Sequence, residues 1–322
     1  MHTDVITYLQ GGKMMHYRTL GKTGITVSEI GFGAWAIGGD EWGPVNDKQS
    51  ITAMKKAIEC GVNFIDTADV YGLGHSERLV TQAIREHRNN IVLSTKGGLI
   101  GHHYDPSGEP VYNTAEKVIA VFETSLLRLE TDYIDVYFCH IWWDKQEETE
   151  AFLRAFEILK RDGKVRAVGV STHDIQYIKH FNKNDEIDVV QLDYNILNRK
   201  PENDILPYLQ ENNLGAVIRG PLKMGILTGK FTNKTTFLDG DLRKEWPKEK
   251  WFQEDLQKVE KLRLLSNENQ TLGQLALRYV LTHPAVSVAI PGAKTEKQAK
   301  ENADSSIRPI LTDEELAHIQ SI

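Results

Sequence analysis

The chain has 322 residues, 40% hydrophobic and 26% charged, which is long enough to bury one large core or two modest ones. Its net charge of -7 and pI near 5.9 argue against a nucleic-acid or anionic-membrane surface, because either partner would favour a basic face. The two cysteines, Cys60 and Cys139, have neither paired nor metal-like spacing, so we expect a reducing compartment, the cytoplasm by default.

The opening segment, MHTDVITYLQGGK, has no basic stretch followed by a long apolar one. No window of the chain approaches the roughly 18 apolar residues that a membrane helix needs. Secretion and membrane insertion are therefore not expected. We assign residues 1–13 no role and expect one domain over residues 14–322.

The segment HYRTLGKTGITVSE at residues 16–29 predicts a short hairpin around Gly21 and Gly24. It precedes the repeating part of the chain, so we expect it to plug the bottom of the domain that follows.

Short apolar, β-rich runs then alternate with helix-like stretches, which is typical of parallel strands that are buried on both faces and joined by helical crossovers. The predicted strands are VSEIGFG (27–33), NFIDTA (63–68), IVLSTK (91–96), IDVYFCH (134–140), VRAVGVS (165–171), VVQLDY (189–194), GAVIRG (215–220) and VSVAIPG (286–292). Amphipathic helices are predicted at 47–60, 76–87, 114–130, 150–161 and 271–282.

Strands and helices in this alternation predict a single (β/α)₈ barrel with the hairpin as its plug, and the alternative is an open doubly wound sheet. GFGAWA at residues 31–36 matches the dinucleotide fingerprint, but the turn-like IGGDEWGPV that follows cannot open a helix directly. We therefore reject the fingerprint and expect these glycines to let the loop approach a ligand closely.

Residues 232–252 are polar and aromatic and too long for an ordinary connection between a strand and a helix. Two interpretations stay open for this insertion: a lid over the pocket, or a disordered surface segment.

The active site of such a barrel lies at the C-terminal ends of its strands, so polar residues at those ends are candidates. Successive runs end near or carry Asp66, Lys96, His140, Ser171, Gln191, Arg219 and Gly292. A lysine at a dry strand end needs a carboxylate partner, and Asp66 can be that partner for Lys96. Tyr71 follows in DTADVYGLG, where a nearby cation would lower the phenol pKa from its usual value of about 10.

The contexts FIDTADVYG, LSTKGG and FCH around Asp66, Tyr71, Lys96 and His140 resemble the catalytic tetrad of the aldo-keto reductase superfamily. The resemblance extends through EIGFGAWAIGG, SERLVTQAI, SLLRLETDYIDVYFCH, LKRDGKVRAVGVS and PGAKTEKQAKEN. It implies that NAD(P)H gives a hydride to an aldehyde, ketone or sugar carbonyl while Tyr71 supplies the proton. Lys96 and Asp66 would tune Tyr71, and His140 would orient the carbonyl oxygen.

The resemblance also implies a set of cofactor-binding residues: Ser171, Thr172, Gln191, Arg219, Pro221, Leu222, Gly292, Lys294, Gln298, Glu301 and Asn302. Thr172 stands where the family usually has Asn, and Arg219 stands where an aromatic ring commonly stacks on the nicotinamide. Lys294 and the helix start near Thr295 favour a phosphate, whereas Gln298 replaces a common arginine. NADPH is the expected cofactor, with NADH as the alternative.

Trp35 and Trp143 are expected to line a pocket for a small carbonyl substrate, although packing beneath loops is an alternative for the mouth-side tryptophans. The adjacent His102 and His103 cannot easily point at one ion, so no metal is expected.

Two other functions stay open: a cofactor-binding regulatory or auxiliary subunit with little turnover, and a barrel isomerase or aldolase that uses Lys96 as a Schiff-base nucleophile. The physiological substrate and the oligomeric state cannot be read from the sequence.

Overall fold

The computed structural model describes residues 6–10, 13–39, 41–101, 110–140 and 146–322, with the backbone alone for residues 6–10 and 13. The strands are β1 (Ile6–Gln10), β2 (Lys13–Thr19), β3 (Thr26–Ser28), β4 (Phe32–Gly33), β5 (Phe64–Asp66), β6 (Val92–Gly97), β7 (Ile134–Cys139), β8 (Val165–Ser171), β9 (Val189–Asp193), β10 (Gly215–Arg219) and β11 (Val286–Ala289).

The α-helices are α1 (Asp47–Glu59), α2 (His75–Ile84), α3 (Ala115–Leu129), α4 (Gln146–Arg161), α5 (Ile175–Phe181), α6 (Ile205–Glu211), α7 (Lys250–Leu262), α8 (Leu272–Thr282), α9 (Glu296–Ala303) and α10 (Asp313–Gln320). Within the described ranges, none of the helices is both long and apolar enough to span a bilayer.

Strands β4 to β11 form one parallel sheet in chain order, and the sheet closes on itself. A bridge between Ile30 and Ala289 joins its two edges, with hydrogen bonds from Gly31 N to Ala289 O (2.8 Å) and from Ala289 N to Glu29 O (2.9 Å). Closure leaves no exposed edge, so the predicted (β/α)₈ barrel is confirmed and the open sheet is excluded.

Gly31 and Gly33 allow close packing of the backbone where the barrel closes. A Cβ on Gly31 would lie 2.9 Å from the Phe64 carbonyl oxygen, and one on Gly33 would lie 2.6 Å from that of Ile290. These distances are too short for any side chain, so the two glycines let β4 approach its neighbours. The structure thus gives these two glycines a packing role within the barrel wall, and the expected approach of the loop to a ligand stays a prediction.

The predicted hairpin is confirmed as β2 and β3, which pair antiparallel with Tyr17 opposite Ser28 and Thr19 opposite Thr26. Its apolar side chains join a buried cluster with the barrel-interior residues near the N-terminal ends of the strands, and the cluster includes Leu20, Ile25, Val27, Phe64, Val92 and Val189. The hairpin therefore plugs the bottom of the barrel. Strand β1 pairs with β2 as a third strand, while the domain start at residue 14 stays a prediction.

Capping side chains determine where several of the helices begin. The side chains of Asn46 and Thr114 accept hydrogen bonds from backbone N–H groups at the starts of α1 and α3, and Thr271 forms a capping box with Gln274 at α8. Such caps satisfy the otherwise unpaired first N–H groups of a helix. They explain why these starts lie within one residue of the prediction.

Candidate active site

The polar residues predicted at the strand ends lie around one mouth of the barrel. Asp66 ends β5, Lys96 lies one residue before the end of β6, His140 directly follows β7, and Ser171 and Arg219 end β8 and β10. Because parallel strands end at the same side of the sheet, their side chains converge. The bottom is closed by the hairpin, so this mouth is the accessible end of the interior.

Lys96 is fully buried and has three oxygen partners. Its Nζ donates to Asp66 Oδ2 at 2.7 Å, to the Thr67 carbonyl oxygen at 2.8 Å and to the Tyr71 hydroxyl at 3.3 Å. An ammonium group has three protons, so these contacts satisfy it completely. The arrangement keeps a positive charge beside the phenol.

The other carboxylate oxygen of Asp66 is held by one residue of the adjacent strand β6 and by one of β9, which is not adjacent to β5 in the sheet. Ser94 Oγ donates to Asp66 Oδ1 at 2.5 Å, and Gln191 Nε2 donates to the same oxygen at 2.9 Å. The sequence reasoning missed Ser94. Its signal was the two-residue spacing from Lys96, which places both side chains on the interior face of β6.

Tyr71 reaches back over the mouth because the chain turns sharply after it. Gly72 and Gly74 have φ of 58° and 86°, and a Cβ on Gly72 would lie 2.3 Å from the Gly38 carbonyl oxygen. Only glycine accommodates both demands at residue 72. The phenol ring then lies edge-on to His140, with ring centroids 5.5 Å apart, and parallel to Trp35 at 6.0 Å.

Burial raises the pKa of Tyr71, and the nearby carboxylate of Asp66 adds to this, whereas Lys96 pulls the pKa down. The expected effect of the cation is present, but the net direction is upward, so the expectation that the phenol pKa lies below its usual value is wrong. The cation limits the rise that burial causes. The phenol is therefore protonated at neutral pH.

Burial lowers the pKa of Lys96, but attraction to Asp66 and Tyr71 and hydrogen bonds with both raise it above its ordinary value. Burial, together with the charges of Lys96 and Arg219, holds the pKa of His140 well below its usual range. Lysine is thus charged and histidine neutral at neutral pH. His140 Nδ1 is buried with no hydrogen-bond partner among the described residues.

The residues expected to bind nicotinamide lie beside this cluster. Ser171 Oγ donates to Gln191 Oε1 at 3.4 Å, and Gln191 in turn contacts Asp66. Thr172 is buried, and its hydroxyl accepts from the backbone N–H of Asp174 at 3.2 Å. At the end of β10 and directly after it, the expected residues are half-buried Arg219, buried Pro221 and half-buried Leu222.

The residues expected at the adenosine end lie just before α9 and along its length. The backbone N–H of Lys294 donates to Gln298 Oε1 at 2.8 Å, and Asn302 Nδ2 donates to the Gly292 carbonyl oxygen at 3.3 Å. Glu301 accepts from the hydroxyl of Thr271 at 2.7 Å, which ties α9 to α8.

Two further cations near this end were missed from the sequence: Lys230 and Arg243. Burial and the charges of Arg243 and Lys294 lower the pKa of Lys230, and burial and Arg243 lower the pKa of Lys294. Asp241 attracts all three and forms a two-point ion pair with Arg243 (2.8 and 2.6 Å). Three cations around one carboxylate form a surplus of positive charge that suits an anion.

The insertion at 232–252 does not form one irregular segment. Its last residues belong to α7, where Phe252 is fully buried, so the predicted end of the insertion lies too far along the chain. Aromatic side chains before α7 pack against one another and against Phe252 of α7: the ring centroids of Phe231, which directly precedes the insertion, and Phe237 are 5.2 Å apart, and those of Trp246 and Phe252 are 6.0 Å apart.

Trp35 lies at the mouth, whereas Trp143 and the His102-His103 pair fall outside the described residues. Among the side chains that the structure describes, no group of three or more potential ligands could hold a metal ion. The expectation of no metal stays a prediction.

The Aldo/keto reductase family matches residues 29–322 of the chain. The chain is 36% identical over 292 residues to aldo-keto reductase YhdN of Bacillus subtilis, covering 88% of this chain and 86% of that protein. It is 33% identical to the NADH-specific methylglyoxal reductase of Escherichia coli (88% and 91% covered). It is also 32% identical to a probable voltage-gated potassium channel subunit beta of Arabidopsis thaliana (96% of each).

Solved structures agree with these sequence matches. The holo form of aldo-keto reductase AKR11C1 from Bacillus halodurans has a TM-score of 0.77 at 30% identity, covering 95% of this chain and 96% of that one. An aldo-keto reductase from Klebsiella pneumoniae in complex with NADPH has a TM-score of 0.72 at 27% identity (94% and 93% covered). The predicted resemblance is confirmed, and the chain belongs to the aldo/keto reductase family.

Proposed function

We propose that the chain is an NAD(P)H-dependent oxidoreductase that reduces the carbonyl of an aldehyde, ketone or sugar, or oxidises the alcohol in reverse. The observation that carries the proposal is the position of Lys96, whose buried ammonium lies within hydrogen-bond distance of both Asp66 and the Tyr71 hydroxyl. A phenol next to a fixed cation is suited to exchange a proton with a substrate oxygen.

Tyr71 is the proton donor in this proposal. Its phenol is protonated at neutral pH, so the proton is present before the reaction begins. As the phenol gives up that proton, the charge of Lys96, 3.3 Å from the hydroxyl, stabilises the phenolate that forms. Asp66 keeps Lys96 charged and oriented throughout. The same contacts act in the reverse direction, where the phenolate accepts the proton of an alcohol.

His140 orients the carbonyl oxygen. Its low pKa keeps the imidazole neutral, so one ring nitrogen carries a proton to donate and no positive charge competes with Lys96. The edge of the Tyr71 ring against His140 places both side chains at the same part of the mouth. An oxygen between them can accept from the imidazole and receive the phenol proton.

The residues fit a dinucleotide. Lys230, Arg243 and Lys294 form the surplus of charge that phosphates neutralise, while the hydroxyl and amide of Ser171 and Gln191 offer partners for a carboxamide near Tyr71. When bound, the nicotinamide supplies the hydride. We favour NADPH because three cations suit its additional phosphate, and NADH is the alternative, as the name of the Escherichia coli relative illustrates.

We further propose the cytoplasm as location and a small carbonyl compound as partner, with Trp35 and Trp143 lining the pocket. Cys60 and Cys139 are both buried and are not joined in a disulfide, which fits a reducing compartment. The insertion is proposed to be a lid at the cofactor end of the mouth, because its Arg243 lies over the ring of Trp42, whose carbonyl oxygen accepts a hydrogen bond from Lys294.

A second candidate is a cofactor-binding auxiliary subunit, which the similarity to a potassium channel subunit beta favours. Initial rates on a panel of aldehydes, ketones and sugars, with NADPH and with NADH, separate the two functions. Carbonyl-dependent oxidation of either cofactor is the expected result. Tight binding of NADPH without turnover on any member of the panel would overturn the reductase proposal in favour of an auxiliary role.

A further inference from the structure

Trp42 connects the insertion to the candidate active site. It lies in the loop between β4 and α1 and is 8% exposed. Its ring meets the ring of Trp35 at a right angle, with centroids 5.1 Å apart, and Trp35 lies parallel to the Tyr71 ring at 6.0 Å. Trp42 is thus one side chain away from the phenol.

Residues of the insertion also contact Trp42 and its neighbour Glu41. The guanidinium carbon of Arg243 lies 4.7 Å from the centroid of the Trp42 ring, a geometry in which the ring attracts the cation. Asp241 forms a backbone bridge with Trp42, and the N–H of Leu242 donates to the Glu41 carbonyl oxygen at 2.9 Å. The backbone and the side chain of the insertion therefore both contact this loop.

Two further contacts join the loop to the cofactor end and to the substrate end. Lys294 Nζ donates to the Trp42 carbonyl oxygen at 2.9 Å, and Trp35 Nε1 donates to Glu41 Oε2 at 2.8 Å. Residues 41 and 42 thus touch the lid, a candidate phosphate-binding lysine and the tryptophan over the phenol. A shift of the insertion would change the support of Trp35.

The side-chain contacts of Trp42 with Trp35 and Arg243 are made by its ring, and the polar atom of the ring takes no part in them. Trp42 Nε1 is buried without a hydrogen-bond partner in the described part of the chain. Packing of the ring against Trp35 and attraction of its π face to Arg243 need only an aromatic ring. Phenylalanine should therefore replace tryptophan better than any aliphatic residue.

We propose that Trp42 is a positioning residue that transmits the closed position of the insertion to Trp35 and so sets how tightly the carbonyl substrate is held beside Tyr71. The inference rests on the proposed function, because it takes Tyr71 as the proton donor and Trp35 as a wall of the substrate pocket. In this proposal Trp42 affects substrate binding, whereas the contacts of Lys96 with Tyr71 and Asp66 stay in place.

The first test compares kcat and the substrate KM of the wild type, Trp42→Ala and Trp42→Phe at saturating NADPH. Losing one aromatic contact predicts a rise of about 2- to 10-fold in KM for Trp42→Ala, with a smaller change in kcat. Trp42→Phe is expected to return KM most of the way to the wild-type value. If thermal melting shows that Trp42→Ala does not fold, Trp42→Leu takes its place, because it keeps apolar volume and loses the π face.

The second test asks whether the insertion acts through Trp42. Arg243→Met should raise the substrate KM of the wild type at saturating NADPH, although Arg243 contacts Trp42 rather than Trp35. The same change should add nothing to KM in the Trp42→Ala background, because the connection is already broken. Lys244→Met is the matched control, since it removes a neighbouring cation that pairs with the exposed Asp239 at 2.8 Å.

An unchanged substrate KM in active Trp42→Ala, or independent effects of the Arg243 and Trp42 changes, overturns the inference alone and leaves the reductase proposal standing. A wild type that binds NADPH but turns over no carbonyl overturns the proposed function, and the inference with it.

Discussion

Lys96 donates a hydrogen bond of 2.7 Å to Asp66, and both side chains are excluded from solvent, at 0% and 2% exposure. A buried ion pair of this kind is retained only when its charges are well paired, because desolvation of each ion is costly. Here the pair keeps a cation 3.3 Å from the hydroxyl of Tyr71. The charge thus stays fixed while the phenol changes its protonation state.

Tyr71→Phe is expected to reduce the rate of carbonyl reduction by about 10² to 10⁴, because it removes the donated proton and little else. Folding and NADPH affinity should stay close to those of the wild type. The measurement is kcat together with cofactor titration and circular dichroism. Cys139→Ser is the control, since no thiol chemistry is invoked, and should have a far smaller effect. A Tyr71→Phe protein with more than about a tenth of wild-type turnover would show that Tyr71 is not the acid.

The pH dependence should differ between the two reaction directions. Reduction uses the protonated phenol, whose pKa is raised, so its kcat should be flat from about pH 6 to about pH 8 and fall only at higher pH. The neutral His140, with its pKa well below 6.5, adds no change in this range. Alcohol oxidation uses the phenolate, so its rate should rise with pH.

Lys96→Met tests the same assignment. Without the cation the phenolate is less stable, so the rise in alcohol oxidation should move to higher pH and reduction should slow. An unchanged pH profile in the variant would contradict the role of Lys96.

Much of the fold could be predicted because its signals are local. Apolar runs and amphipathic stretches mark strands and helices, and Thr114 and Thr271 mark helix starts. The role of Gly31 and Gly33 could not be predicted, since it depends on how closely these glycines approach Phe64 of β5 and Ile290 after β11 when the barrel closes. That distance is a property of tertiary structure.

In the candidate site, too, some residues could be predicted from local sequence and others depend on tertiary packing. Asp66, Tyr71, Lys96 and His140 could be selected from strand ends and motif contexts, and the structure brings them together. Lys230 and Arg243 could not be selected from the sequence, because they lie in an irregular segment whose path depends on packing against Trp42. The upward pKa shift of Tyr71 depends on burial, which no motif specifies.

Ionisation of Asp69 is expected to lower the free energy of unfolding, with its full effect above neutral pH. It is buried with both carboxylate oxygens unpartnered in the described ranges, and burial, with the nearby Glu77, raises its pKa from 3.8 to about 7. The unfolded state loses this proton at lower pH than the folded state, so the free energy of unfolding falls as pH rises between these values. The loss is complete above about pH 7 and amounts to up to about 4 kcal/mol.

Asp69→Asn should therefore stabilise the protein, and the gain in urea unfolding should grow from about pH 5 to about pH 8. Asp239→Asn changes an exposed acid and is the matched control, because no burial opposes its charge. An equal gain at both pH values would indicate that ionisation of Asp69 is not the cause.

The insertion is expected to become less accessible when the cofactor binds. Lys234 lies in its exposed first part, while Arg243 contacts Trp42 and lies near Lys294. A phosphate bound between the cations would reduce their mutual repulsion and hold the insertion against the mouth. Trypsin should then cleave at Lys234 more slowly with NADPH present. Cleavage at an unchanged rate under saturating NADPH would argue against a lid.

The chain is expected to bind NADPH more tightly than NADH. Lys294 is half-buried among Lys230 and Arg243, and its lowered pKa reflects burial and the charge of Arg243, both of which an additional phosphate would offset. Removing one charge-assisted hydrogen bond in Lys294→Met should weaken NADPH binding by about 10- to 100-fold and leave NADH binding nearly unchanged. Gln298→Arg should strengthen NADPH binding, because it adds a planar fork beside Lys294. Fluorescence titration of both cofactors measures the preference, and tighter binding of NADH by the wild type would contradict it.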